Sequence, residues 1–178
     1  CGIDPEYWDI WGRHHIIGPE AMRSILTAMG VGCASVEELK ASLAECARRE
    51  WTRPAPPALV VSENKPREIP LQASAETLAE PARVELRLED GAAHVFEFDL
   101  RALRQSASAE MDGGAWMRRM ALLPVEVPAG YHDVTVTHAG RTAQMRYIVT
   151  PDRAWTHPHL ARGGKAAGIA FSLYGLRS

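Results

Sequence analysis

The spacing of apolar residues changes once along this chain, close to residue 53. Before that point apolar side chains recur every three or four residues, as at Met22 and Leu26, which is the spacing of one face of a helix. After it they recur at every second residue, as at Val84 and Leu86, which is the period of a half-buried strand. The sequence therefore predicts a helical segment followed by a β-rich module.

The first fifty residues predict a helical hairpin. Pro19 favours a helix start because its ring fixes the φ angle of the first turn, and Gly30 favours the end of that helix. A second helix is expected to begin at Ser35, because Glu38 completes an S-x-x-E capping box. Its apolar face comprises Val36, Leu39, Leu43, Cys46 and Ala47. Helices this short are marginal in isolation, so we expect both apolar faces to dock on the module that follows.

Residues 53–57, rich in proline, mark the boundary between the two segments. Proline cannot continue a helix, since it lacks the amide donor and forces the preceding residue into an extended conformation. Beyond this stretch, apolar and alternating segments predict strands near 59–61, 69–71, 84–88, 94–100, 116–123, 134–136 and 145–149. Asp90-Gly91 and Ala139-Gly140 fall between paired segments, and we interpret them as tight hairpin turns. Residues 104–114 are small and polar and are expected to form a loop.

About seven short strands with no helix between them are typical of an antiparallel β-sandwich, and we expect an immunoglobulin-like topology. The fold class is therefore α+β, mainly β. The expected organisation is a helical segment (1–52), a Pro-rich linker (53–57), the sandwich (58–150) and a final segment (151–178). Tyr131 follows Pro-Ala-Gly at the start of a late strand, and we predict that it forms a tyrosine corner.

The composition is that of an ordinary globular protein, with 46% hydrophobic and 24% charged residues, which argues against disorder over the whole length. The net charge is −2, from 20 basic and 22 acidic residues that are mixed along the chain, so nucleic acid and anionic membranes are poor candidates as partners. Neither a membrane-spanning stretch nor a signal segment is evident. Cys1, Cys33 and Cys46 fit neither a disulfide framework nor a metal pair, which favours reduced thiols and a cytoplasmic location.

The residue patterns predict no catalytic residues, no cofactor and no metal. A Gly-rich phosphate loop, an H-E-x-x-H helix and a G-x-S-x-G elbow are all missing from the sequence. His14-His15 and His157-x-His159 lack cysteine or carboxylate partners at ligand spacing, so we interpret them as surface residues. Glu85, Glu97 and Asp99 are expected on outward strand faces, which do not provide the enclosed setting of a paired-carboxylate site.

Five tryptophans are the residues that could bind a ligand. An exposed ring can hold the apolar face of a sugar, whereas the plain alternative is that each ring fills the core or a seam between segments. The second interpretation is favoured for Trp8, Trp11 and Trp51, which flank the helical hairpin. Trp116 and Trp155 stay open as candidate substrate-binding residues.

Short motifs along the whole chain resemble those of long-form bacterial 4-α-glucanotransferases, the amylomaltases. They are, in order, Gly2-Ile3, Tyr7-Trp8-Asp9-Ile10-Trp11-Gly12, Pro19-Glu20, Pro128-Ala129-Gly130-Tyr131-His132 and the segment 148–154, Ile-Val-Thr-Pro-Asp-Arg-Ala. The most telling motif, at 168–178, is similar to the first strand of that family's catalytic (β/α)₈ barrel and the loop after it. The resemblance implies that the chain is the N-terminal region, truncated where the barrel begins.

The resemblance also implies an activity for the parent protein. Enzymes of this family cleave an α-1,4 glucosidic bond and transfer the glycosyl unit with retention, using two carboxyl groups far along the barrel. None of those residues lies in this chain, whereas Tyr174 and Ser178 are the motif positions expected near the active-site cleft. Without neighbouring strands, residues 168–178 are expected to be disordered or to pair with an exposed sheet edge.

Three functions follow as hypotheses. In the first, the module supports or docks on the catalytic barrel of the same polypeptide, or lies at a homodimer seam. In the second, the sandwich binds maltodextrin or glycogen-type glucans and concentrates them near the barrel. The third, that this chain is itself an enzyme, is disfavoured because it carries no catalytic constellation.

Overall fold

The computed structural model describes residues 2–170. Its first part contains strands β1 (Glu6–Trp8) and β2 (His14–Ile16) and helices α1 (Pro19–Ala28) and α2 (Val36–Trp51). The sandwich strands are β3 (Ala58–Ser62), β4 (Glu68–Ser74), β5 (Ala82–Arg87), β6 (Ala93–Phe98), β7 (Arg104–Met111), β8 (Gly114–Leu122), β9 (Gly130–His138) and β10 (Arg141–Thr150). A short helix, α3 (Pro158–Ala161), follows. Most of the expected barrel strand at 168–178 lies outside the described residues.

The predicted helical hairpin is confirmed, and its ends have the expected chemistry. Pro19 occupies the first turn of α1, and Gly30 follows the helix with φ of 76°. The Ser35 hydroxyl accepts a hydrogen bond from the amide of Glu38 at 3.1 Å. The Glu38 carboxylate in turn accepts from the amide of Ala34 at 2.9 Å, so both partners of the capping box act at the start of α2.

The docking of the helices on the sandwich is only partly as expected. Neither α1 nor α2 has a buried residue. In the connection between them Cys33 is buried, and its thiol lies 3.5 Å from the carbonyl oxygen of Arg23. Within residues 2–170, the hydrogen bonds and the cation–π contact that join α2 to the sandwich come from its last turn, so the expectation that both apolar faces pack there is wrong for most of their length.

The two sheets of the sandwich are β3-β10-β9-β5-β6 and β4-β8-β7. This order corresponds to the immunoglobulin arrangement, with β4-β8-β7 facing the β5-β9-β10 group, which is extended by β6. The expected antiparallel pairing holds except at one place: β3 runs parallel to β10, from Ala58 beside Arg146 to Ser62 beside Thr150. The first strand of the sandwich thus joins the edge formed by the last one.

The core lies between the two sheets and contains the inward residues of the alternating strands. In β5 every second residue is buried, and in β9 and β10 the same holds over most of the strand. Tyr147, Leu71, Leu86 and Leu100 are among its largest side chains. The Pro-rich stretch also contributes, since Ala55 is fully buried in this cluster.

Two predictions about the sandwich are wrong. Residues 104–114 are not a loop, because 104–111 form β7, an edge strand paired with β8. Tyr131 is not a corner residue, because its ring is 59% exposed. The neighbouring His132 is 1% exposed, and its Nε2 lies 2.9 Å from the carbonyl oxygen of Pro128. Its Nδ1 accepts a hydrogen bond from the amide of Glu89 at 3.2 Å, so His132 makes the contacts expected of a corner residue.

Candidate functional site

Residues 6–16 form a small β-hairpin, called here the aromatic hairpin, that the sequence did not predict. Its strands pair Tyr7 with His15 and Trp8 with His14. Both pairs stack, with ring centroids 4.9 Å and 4.8 Å apart. A single two-stranded hairpin is only marginally stable, so these stacked pairs and the turn between them hold its shape.

Asp9 organises the turn of the aromatic hairpin. One carboxylate oxygen accepts hydrogen bonds from the amides of Trp11 and Arg13, both at 2.9 Å. The other lies 3.0 Å from Nε2 of His15. The hydrogen bond from His15, and next the one from the Arg13 amide, hold the pKa of Asp9 below its usual value of 3.8. Asp9 is therefore a structural carboxylate that stays ionised, rather than a proton donor for chemistry.

The aromatic hairpin exposes most of its apolar surface. Relative exposures are 53% for Tyr7, 68% for Trp8, 90% for Ile10, 76% for Trp11 and 77% for Ile16. The expectation that Trp8 and Trp11 fill the core or a seam is therefore wrong within the described chain. Exposed apolar surface of this extent marks a site of interaction with protein or membrane.

An apolar groove, called here the helical groove, lies between α1 and α2 next to Gly2 and Ile3. Its volume is about 270 Å³, and its walls include Met22, Leu26, Val31, Leu39 and Leu43. Leu43 is 64% exposed and Val36, on the same helix, is 58% exposed. The predicted apolar faces thus exist, but most of their surface is open to solvent.

The seam between α2 and the sandwich is built around Arg118 of β8. Its guanidinium lies 4.9 Å from the centroid of the Trp51 ring and 3.0 Å from the Glu50 carboxylate. The side-chain amide of Gln72 donates to the carbonyl oxygen of Glu50 at 3.2 Å. Trp51 therefore lies at a seam, as expected from the sequence.

A cleft of about 610 Å³, called here the Trp116 cleft, opens beside this seam. Its floor is formed by the end of β4 and by Trp116 on β8. One wall is the last turn of α2, with Arg48 and Thr52, and the other is the β9–β10 turn, with His138 and Arg141. The structure thus places Trp116, one of the two candidate substrate-binding tryptophans, in a concave setting lined by both polar and apolar groups.

Side chains around the Trp116 cleft are held by hydrogen bonds. His138 is 5% exposed, and its Nε2 lies 3.3 Å from the hydroxyl of Thr77. Arg141 donates to the carbonyl oxygen of Thr52 at 3.1 Å, and its guanidinium carbon lies 5.8 Å from the centroid of the Trp116 ring. Nothing in the sequence pattern brings these residues together, because they come from separate elements of the fold.

The other candidate residues lie elsewhere. Trp155 is 79% exposed, its ring meets that of His157 edge-on at 5.7 Å, and it does not line the Trp116 cleft. Tyr174 and Ser178 lie outside the described residues. Of the four predicted substrate-binding residues, the described part of the chain therefore contains Trp116 and Trp155, and these two lie in different places.

Within residues 2–170 no three histidine, cysteine or acidic side chains come together as metal ligands. The same described part contains no helix that is both long enough and apolar enough to cross a membrane. Hydrogen bonding to Arg101 lowers the pKa of Asp99, and hydrogen bonding to Glu45 raises that of Arg48. Both are exposed neighbouring pairs, which is the pattern of surface ion pairs rather than of a buried acid and base.

Comparison with known proteins shows which family this chain is similar to. A family model described as "MalQ N-terminal beta sandwich domain" matches residues 54–151, more than half of the chain. The chain is 31% identical over 180 residues to 4-alpha-glucanotransferases of Mycobacterium bovis and Mycobacterium tuberculosis, covering 99% of its own length. It is also similar to the crystal structure of amylomaltase from Corynebacterium glutamicum, with 27% identity, a TM-score of 0.64 and 85% of this chain covered.

The matched proteins are much longer than this chain. It spans 24% of the length of the mycobacterial relatives and 21% of the Corynebacterium glutamicum chain. The match thus concerns the part of those proteins that contains the β-sandwich.

Proposed function

The chain belongs to the MalQ N-terminal beta sandwich domain family, and we propose that it is the non-catalytic N-terminal module of a cytoplasmic 4-α-glucanotransferase. In this proposal the whole protein transfers α-1,4-glucan segments between maltodextrins. The chemistry takes place in a (β/α)₈ barrel on the remaining part of the polypeptide. The module docks on that barrel through the aromatic hairpin and the helical groove.

One observation carries the docking role: the apolar surface of residues 3–43 is left uncovered by the sandwich. Ile10, Ile16 and Trp11 are each more than three-quarters exposed, and both helices lack buried residues. Leaving such surface in water is unfavourable by roughly 25 cal/mol for each Å². A partner that removes it from water therefore stabilises the module.

The occupant that fits this surface is the rest of the same polypeptide. The mycobacterial relatives match this chain over nearly its full length, but the match covers only 24% of their own length, so in such a protein a large surface is tethered close by. Tethering gives that surface a high effective concentration. A free partner or a second copy has no such advantage.

The test uses the full-length gene product and the 178-residue chain in parallel. Trp11→Ser and Leu43→Ser each remove apolar surface that is exposed in the chain alone, so its melting temperature should stay within about 1 °C. In the full-length protein each substitution should lower the melting temperature by at least about 2 °C, because buried interface tryptophans and leucines contribute to stability. Turnover of short maltodextrins below the melting transition should be unchanged.

Val95→Ser is the matched control, since Val95 is 51% exposed but lies on the sandwich. It should affect neither protein. Equal melting of all full-length variants would overturn the docking proposal. Conversion of a full-length dimer to a monomer by Trp11→Ser, seen by sedimentation, would overturn it in favour of a second copy as the occupant.

A second function, binding of α-glucan by the sandwich, is favoured by the position of Trp116. Its ring lines a cleft that also contains charged side chains, and Trp116 is not among the buried core residues. Trp155 has no comparable surroundings, so the Trp116 cleft is the place where this function is to be sought.

A further inference from the structure

We propose that the Trp116 cleft is a binding site for a linear α-1,4-glucan, built jointly by the end of α2 and the sandwich. The site rests on the proposed function only for the type of sugar. Its location, its neutral-ligand chemistry and its residues are argued from the structure.

The aromatic platform of the site is held rigidly. Trp116 belongs to β8, the central strand of its sheet, and pairs with Ser74 on one side and Ala109 on the other. Pairing on both sides fixes the backbone on which the ring is mounted. A half-buried ring on a rigid strand presents an apolar face, which is what the carbon-bound hydrogens of a pyranose require.

The Trp116 ring is less firmly covered than the Trp51 ring. The Arg118 guanidinium lies 4.9 Å from the Trp51 centroid and is also paired with Glu50. Arg141 lies 5.8 Å from the Trp116 centroid, close to the outer limit of about 6 Å for a cation–π contact. A sugar can therefore compete for the Trp116 ring far more readily than for the Trp51 ring.

The charges that line the cleft balance one another, which favours a neutral ligand. Two arginines, Arg48 and Arg141, are matched by two carboxylates, Glu76 and Asp112. An anionic or cationic ligand would meet as many repelling as attracting groups. Sugar hydroxyls both donate and accept hydrogen bonds, so they can use all four side chains.

The dimensions and the preformed walls also suit a short oligosaccharide. The volume of about 610 Å³ lies within the range of roughly 300–1,000 Å³ found for small-molecule sites. His138 is buried and contacts the hydroxyl of Thr77, so this wall needs little ordering when a ligand binds. The opposite wall is the last turn of α2, which the Trp51–Arg118 seam holds in place.

The test is a titration of the 178-residue chain with maltoheptaose, followed by the indole N–H signals of its five tryptophans. Each signal is assigned by a Trp→Phe substitution. We expect saturable shifts of the Trp116 signal with a millimolar dissociation constant, and no comparable change for Trp8, Trp11 or Trp155. Binding of cellohexaose, whose β-linkages give a straight chain, as tightly as maltoheptaose would overturn the assignment to an α-1,4-glucan.

Two substitutions of exposed residues test the cleft while leaving Trp116 in place. Glu76 and Arg48 are both exposed, so Glu76→Ala and Arg48→Ala should leave the fold intact and weaken maltoheptaose binding about three- to tenfold. Glu97→Ala, on the other sheet, is the matched control and should bind maltoheptaose as tightly as the unsubstituted chain does. Unchanged binding in both cleft variants would overturn the proposal.

Two other results would also overturn it: no shift of the Trp116 signal up to about 10 mM maltoheptaose, or saturable shifts confined to another tryptophan. Either result leaves the docking proposal standing, because docking is tested by melting of the full-length protein with Trp11 and Leu43 variants. Conversely, a full-length protein that is insensitive to those variants says nothing against sugar binding in the chain alone. The two proposals therefore fail independently.

Discussion

The guanidinium of Arg118 lies 4.9 Å from the centroid of the Trp51 ring, and this contact joins the last residue of α2 to the central strand of the smaller sheet. The helical hairpin is thus fixed to the sandwich at one end only. The remainder of both helices and the aromatic hairpin stay free to meet another surface. One wall of the Trp116 cleft depends on the same contact.

A double-mutant cycle measures this contact. Trp51→Leu and Arg118→Gln should show a coupling free energy of about 0.5–2 kcal/mol in urea unfolding, because a partly desolvated cation–π pair has that strength. The exposed pair Asp133 and Arg146, 3.2 Å apart, is the control, with an expected coupling of at most about 0.5 kcal/mol. Equal coupling in the two cycles would contradict a special role for the seam.

Substitutions of the neighbouring residues His132 and Tyr131 should differ sharply in their effect on the free energy of unfolding. His132→Ala should destabilise the sandwich by roughly 2–4 kcal/mol, since it removes a fully buried side chain and leaves the Glu89 amide without its acceptor. Tyr131→Ala should change the free energy of unfolding by no more than about 0.5 kcal/mol, because that ring is 59% exposed. Urea unfolding of both variants is the measurement, and the reverse order would restore the tyrosine-corner assignment.

The pKa of Asp9 should depend on one of two adjacent histidines. His15→Ala removes the largest cause of the lowered value, so the pKa of Asp9 should rise towards 3.8. His14→Ala should leave it in place, since His14 lies 3.0 Å from Glu6 instead. Carboxyl carbon shifts recorded against pH give both values. An Asp9 pKa that is the same in all three proteins would show that the Asp9–His15 bond does not form in solution.

The lowered pKa of Asp9 also predicts how the stability of the aromatic hairpin changes with pH. A carboxyl group whose folded pKa is depressed contributes stability above its unfolded pKa and loses it as the pH falls through the folded value. The stacking of Tyr7 on His15 should therefore weaken on acidification below about pH 4. Ring-proton shifts of Tyr7 should report it, and a hairpin unaffected down to pH 2 would contradict the prediction.

The burial of Tyr147 predicts that the protein loses stability at alkaline pH. Burial raises the pKa of Tyr147 to about 12, against a small opposing effect of Arg67. No group among residues 2–170 lies within hydrogen-bond distance of its hydroxyl. The unfolded chain releases this proton near pH 10, so stability from this residue is present below pH 10 and falls between pH 10 and about 12.

Tyr147→Phe tests whether Tyr147 causes this fall of stability above pH 10. The variant should unfold with a free energy at pH 7 equal to or above that of the parent chain, since it removes an unsatisfied buried hydroxyl. Its pH dependence above pH 10 should be shallower by up to one proton. A loss of more than about 1 kcal/mol at pH 7 would show that the hydroxyl has a partner in solution.

The elements that the sequence predicted best are those whose pattern is strictly periodic and whose ends carry strong signals. The alternation Val84, Leu86, Leu88 predicted β5, and Ser35 with Glu38 predicted the start of α2. In both elements the local sequence signal agrees with the structure that forms there. The family resemblance, the mainly β fold class and the N-terminal position were likewise confirmed.

The elements that were missed lack such agreement. Strand β7 lies at the edge of its sheet, beside β8. Ala107, Ala109 and Met111 alternate with polar residues, but alanine is too small to give this alternation a strong apolar signal. Strands β1 and β2 have three residues each, too short for any period. The corner residue was predicted one position too early. Adjacent strand residues face opposite sides of a sheet, so Tyr131 points outward and His132 inward.

The binding surfaces could be predicted only as a set of candidates. Sequence alone could not separate Trp116, which lies in a cleft, from Trp155, which is 79% exposed. The reason is that the walls of the cleft come from α2, β4 and the β9–β10 turn, which are distant along the chain. Within the described chain Trp8 and Trp11 are exposed although burial was expected, because hydrophobicity does not specify which surface covers a side chain.

The parallel pairing of β3 with β10 has a mechanical consequence. The chain enters the sandwich at the start of β3 and leaves it at the end of β10, so the helical hairpin and the downstream polypeptide depart from opposite ends of this strand pair. Tension between them would act along the two strands and load their hydrogen bonds in shear, all at once rather than one after another. The sandwich is thus suited to act as a stiff spacer whose two attachment points keep a fixed separation under load.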